Sequence, residues 1–85
     1  MADNIIKLAD AQAKVRAICL NGTNNLVSLM RNAVSSYAED CWDNLSDPAA
    51  NFLRRCIDCL EVQKDILSAQ KAIKNILQHF GDVLY

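Results

Sequence analysis

Little in this sequence interrupts a helix: its 85 residues include two glycines and one proline. Few breakers, with 52% apolar and 22% charged residues, exclude a disordered chain and point to folded helices. A basic excess is also missing. Nine Lys and Arg stand against ten Asp and Glu, and no basic cluster exceeds Arg54-Arg55. Binding to a phosphate backbone rests on such an excess, so nucleic acid is not an expected partner. No run approaches the ~20 apolar residues of a transmembrane helix, and none is expected to span a bilayer. The opening Met1-Ala2-Asp3-Asn4 lacks a basic segment followed by an apolar one, so a cytoplasmic location is expected.

Motifs that carry chemistry are scarce as well. His79 is the single histidine and has no serine or cysteine beside it. Asp40, Asp43, Asp58, Glu61 and Asp65 alternate with apolar residues, as on a solvated helix face, rather than standing as an acid and base pair. No glycine-rich phosphate loop occurs. Together these absences argue against an enzyme and imply no cofactor. Asn21-Gly22-Thr23 matches a glycosylation acceptor, which has no physical meaning without a secretory signal.

Four cysteines are present: Cys19, Cys41, Cys56 and Cys59. All sit at helical, core-like positions, where a thiol acts as a small apolar side chain. Cys56 and Cys59 have the spacing used by zinc and redox centres. A closed zinc site needs four ligands, however, and Cys19, Cys41 and His79 offer no second matched pair. A redox pair also belongs at a helix start, where the dipole lowers a thiol pKa, and these two lie further inside. Core packing is therefore the preferred reading. A thiol or zinc sensor is the outside alternative.

What the chain does have is apolar periodicity. Ile5, Leu8, Ala11, Val15 and Ile18 recur at three and four residues and predict a first helix over about 4–20, with Asp3 as its cap. Asn21-Gly22-Thr23-Asn24-Asn25 favours a break, against the rival of one helix running through to residue 45. Leu26, Met30, Ala33, Tyr37, Cys41 and Leu45 then predict a second helix over 25–44. Ser46-Asp47-Pro48 ends it, with Asp47 capping the next helix and Pro48 at its first position.

From Pro48 onward a seven-residue rhythm runs through Phe52, Cys56, Cys59, Gln63, Ile66, Gln70, Ile73, Leu77, Phe80 and Leu84. It predicts one helix over 48–84, ~50 Å long. Leu53, Ile57, Leu60 and Leu67 form a second row, widened by Val62, Ala69, Ile76 and Val83. The fold class is thus all-α: an antiparallel hairpin or three-helix arrangement in one domain, with a long C-terminal amphipathic helix. Such a helix shows more apolar surface than so short a chain can cover, which predicts oligomerisation. The expected interface is Phe52, Leu53, Cys56, Ile57, Leu60, Ile66, Leu67, Ile73, Leu77, Phe80 and Leu84. Gln63 and Gln70 are expected to fix register within it. The aromatic residues Tyr37, Trp42, Phe80 and Tyr85 read mainly as core.

Ser36-Tyr37-Ala38-Glu39, then Asp47-Pro48 opening a helix that continues through Phe52-Leu53, Gln63 and Gln70, resembles the phasins, helical proteins that coat polyhydroxyalkanoate granules. The likeness covers roughly residues 8–80, although Arg54-Arg55 stands where phasins typically carry a Leu-Gln pair. A second likeness, over Asp47 to Phe80, is to type III secretion needle subunits, which form a hairpin about an Asn-Pro or Asp-Pro turn; Ile76-Leu77-Gln78 is similar to their C-terminal stretch. The first resemblance implies adsorption to an apolar granule, and the second implies self-assembly. Both make this a non-enzymatic helical protein whose partner is a copy of itself, another helical protein or an apolar surface.

Overall fold

In the computed structural model, which describes residues 5–21 and 24–81, the chain is all-helical. Its helices are α1 (Leu8–Cys19), α2 (Val27–Asp40), α3 (Asp47–Val62) and α4 (Ile66–His79), with a short 3₁₀ turn at Trp42–Asn44. Among the described residues there is no strand, only an isolated parallel bridge between Ile6 and Leu45. In that bridge the Ile6 amide donates to the Asn44 carbonyl at 2.7 Å, and the Ser46 amide donates to the Ile6 carbonyl at 3.0 Å.

The expected single helix over 48–84 is two helices. Gln63, with ψ 145°, ends α3 in extended backbone, and Asp65, also extended, caps α4 by accepting from the Ser68 amide at 3.1 Å. Compaction explains the break. A straight helix of ~50 Å would leave its far half without an apolar neighbour. Folding back at residues 63–65 instead buries Ala69, Ile73 and Leu77 against the rest of the chain. The particle is accordingly small, with a radius of gyration of 12.1 Å. Among the described residues four helices, rather than three, share one core.

The other boundaries follow local chemistry. α1 starts later than the expected residue 4 because Ile6 is held in the bridge; the Lys7 amide donates to the Asp10 carboxylate at 3.3 Å at its start. Asp3, Gly22, Val83, Leu84 and Tyr85 lie outside the described residues, and with them the expected first cap and part of the expected break. α2 ends at Asp40 rather than 44, tightening into the 3₁₀ turn ahead of the bridge. The cap of α3 is Ser46, not Asp47: its hydroxyl accepts from the Ala49 amide at 3.3 Å, and Pro48 sits in the first turn, where no amide hydrogen is needed.

Direction along the bundle alternates. The Phe52 and Phe80 rings meet edge to face at 5.4 Å, pairing the start of α3 with the end of α4. Gln70 at the start of α4 donates through Nε2 to the carbonyl of Cys19, the last residue of α1, at 3.1 Å. α3 packs on all three other helices, and α1 also meets α2 and α4. The core joins Val15 and Cys19 of α1, Met30 and Val34 of α2, Phe52, Leu53, Cys56 and Leu60 of α3, and Ile73 and Leu77 of α4. α1 also buries a polar residue, Gln12, whose Nε2 has no hydrogen-bond partner among the described residues.

Candidate interaction surface

Six of the eleven residues expected at an interface are fully buried within this chain: Phe52, Leu53, Cys56, Leu60, Ile73 and Leu77. Ile57, Ile66 and Phe80 are half-buried and pack on the same core. The break after Val62 provides the cover, since it supplies from within the chain the apolar partner that one long helix would have sought outside. Leu84 lies outside the described residues. Leu67 alone of the set is widely exposed, at 78%.

Leu67 has apolar company. Val62, at 71%, ends α3 on the other side of the corner, and Leu26 and Leu29, at 57% and 43%, begin α2. Because direction alternates, the end of α3, the start of α4, the end of α1 and the start of α2 lie at one end of the bundle. These four therefore lie toward that end, whereas a fifth exposed aliphatic residue, Ile5 at 49%, precedes α1 at the other. Exposed aliphatic side chains gathered in one place mark a contact surface far better than single ones do.

Local sequence explains why they are there. Leu26 precedes α2 as its cap residue in extended backbone, and its aliphatic side chain cannot cap the helix. Val62 and Leu67 bracket Gln63-Lys64-Asp65. Gln63 points back to its own helix, with Nε2 at 3.9 Å from the Cys59 Sγ. Glu61, Lys64 and Asp65 are exposed, so the corner alternates charge with aliphatic surface. Gln70, expected to fix register between chains, instead fixes it between α1 and α4 of one chain. Leu29 was not singled out by periodicity, because it lies off the buried row. The spacing of Val62 and Leu67 was the available signal: five residues apart, they cannot share one face of a continuous helix.

The thiols near this end are chemically quiet. Burial pushes Cys19 up from 9.0 to about 11, with the neighbouring Cys59 adding to the rise. Cys56 is raised further by burial, with Cys19 and Cys59 contributing, and Cys59 is raised by burial against a small opposing effect of Gln63. A reactive or ligating cysteine needs the opposite shift. All four are free thiols, and among the described residues no three His, Cys, Asp or Glu side chains are placed to hold a metal ion.

At the other end lie two shallow clefts of about 260 and 370 Å³ that share Arg55 and Phe80. His79 lines the first beside Asn75 and stacks edge-on against Phe80. Among the described residues no thiol, hydroxyl or carboxylate lines that cleft for an imidazole to activate. Trp42 is exposed and carries the Arg54 guanidinium over its ring at 5.5 Å; Tyr37 is half-buried with the Lys14 ammonium at 5.6 Å. Trp42 is thus a surface residue, contrary to its expected place in the core.

No helix among the described residues is long and apolar enough to cross a membrane. Compared with protein-family models, curated proteins and solved structures, the chain shows no match.

Proposed function

We propose that this is a non-enzymatic helical binding protein that works by docking the α2 start and the α3–α4 corner against an apolar partner surface. One observation carries the reading: Leu26, Leu29, Val62 and Leu67 are all exposed at the same end of a bundle whose other large aliphatic residues mostly pack inward. Covering them removes apolar area from water, at ~25 cal/mol per Å². The geometry supports contact and not turnover.

Two forms of contact remain from the sequence: a coat on an apolar polymer, as in the phasins, and self-association, as in needle subunits. In the first, the bundle end lies on the particle; in the second, it meets protein. Sedimentation with polyhydroxybutyrate particles, together with the mass of the free protein in solution, tests the reading. At least one association is expected, and it should weaken when Val62 and Leu67 are both changed to Ser. A protein that neither pellets with particles nor self-associates overturns the proposal.

A further inference from the structure

Resting on that reading, we infer that the occupant of the apolar end is a second copy of this chain, docked end to end about a two-fold axis through the Val62–Leu67 corner. Charge separates this from the alternatives. Within seven residues the corner carries Glu61, Val62, Lys64, Asp65 and Leu67, all exposed. Two full charges between the two aliphatic side chains, Lys64 and Asp65, and a third beside Val62, Glu61, oppose burial in an apolar polymer, which offers them no outside counter-charge. They suit a protein interface with an aliphatic centre and a polar rim.

The order of signs makes the corner complementary to itself. A two-fold axis brings the same patch of both copies together, each facing the other reversed. Lys64 of each copy then lies opposite Glu61 of the other, with Asp65 beside the pair, while Val62 and Leu67 close over the aliphatic surface of the other copy. Neither acid is engaged in a way that prevents this. Asp65 caps α4 through Ser68, which leaves lone pairs on the carboxylate for a lysine. Gln63, between the charges, is turned back onto Cys59 and does not compete.

Size sets the strength. A four-helix end with helices about 10 Å apart offers on the order of 500 Å² per copy, about 1,000 Å² in total when two copies meet. That is the low end for a specific contact. The dimer is therefore weak and concentration-dependent, and its rim charges make it weaken as salt rises.

Sedimentation velocity and small-angle X-ray scattering across a concentration series test this on the intact chain. The expected dimer is about twice as long along the helix axes as one chain, whose helices of 12–16 residues span about 18–24 Å. Changing Val62 and Leu67 together to Lys should weaken association at least about tenfold, with helicity by circular dichroism unchanged because both side chains are largely exposed. A complementary charge experiment does not depend on apolar residues: Lys64→Glu and Glu61→Lys should each abolish self-association, and an equimolar mixture of the two should restore a dimer. A monomer at every concentration that still pellets with polyhydroxybutyrate particles overturns the two-fold contact and leaves the binding function standing. A compact dimer, or one indifferent to the V62K/L67K change, overturns the contact at this end while leaving self-association. A monomer that binds no particle overturns both.

Discussion

Gln70 reaches across the bundle to Cys19, its Nε2 donating at 3.1 Å to the carbonyl that closes α1. Helix ends leave their last carbonyls without intrahelical partners, so this side chain satisfies a group that α1 cannot satisfy alone. Replacing Gln70 by Met keeps the bulk and removes the donor. A loss of about 1 kcal/mol is expected, read as a lower urea midpoint with an unchanged slope.

Phe52 is fully buried and holds the Phe80 ring edge-on. Truncation to Ala removes the largest side chain of the core and leaves a cavity, at a cost of about 3–5 kcal/mol. A domain of this size has only about 4–13 kcal/mol to lose. The variant should be partly or wholly unfolded by circular dichroism at 37 °C, and a native-like melting temperature would contradict the core assignment.

Gln12 gives a change in the other direction. It is buried with an unpartnered amide nitrogen among the described residues, which costs desolvation without return. Gln12→Met should stabilise the fold by about 1 kcal/mol, shifting the denaturation midpoint upward.

Asp65 links stability to acid. The Ser68 hydroxyl and amide hold its carboxyl below its ordinary 3.8. A depressed carboxyl stabilises the fold above the unfolded value and ceases to do so as pH falls through the folded one. Asp65→Asn retains a capping oxygen but cannot titrate. Thermal melts between pH 7 and pH 2.5 should show a shallower acid loss in this variant than in the parent.

The thiols link stability to base. Cys19, raised from 9.0 to about 11, favours the fold below pH 9, and that contribution disappears as pH rises from 9 toward 11. Cys56 acts in the same sense. With maleimide at pH 7, half-buried Cys41 and Cys59 should be modified first, and buried Cys19 and Cys56 only on unfolding. Mass spectrometry of modified peptides checks the order; early labelling of Cys56 would contradict its burial.

Much of this fold was legible where a residue had one physical option. Pro48 cannot continue a helix from Asp47's predecessor, and α3 begins at Asp47. The inward rows of α1 and α2 were visible as Ala11, Val15, Met30 and Val34 at steps of three and four. The α3–α4 break was not. Gln63 and Lys64 are good helix formers, and the apolar rhythm continues through Ile66 as if nothing happened, so only tertiary cover decides the matter. That one break also moved the candidate surface. Most residues assigned to an outside partner serve the interior, while Val62, Leu67 and Leu29, which flank the rhythm, face out. A sequence shows which residues are apolar; it does not show which of them run out of neighbours first.

The clasp between Ile6 and the segment Asn44 to Ser46 has a separate consequence for motion. It joins the two ends of the α1–α2 unit through two backbone bonds outside any helix, so it can release while every helix stays wound. Amide exchange at Ile6 and Ser46 should then proceed faster than at Phe52 or Leu53. A tag or fusion placed upstream would pull first on this latch, leaving the helices seated while the Ile6 segment peels away.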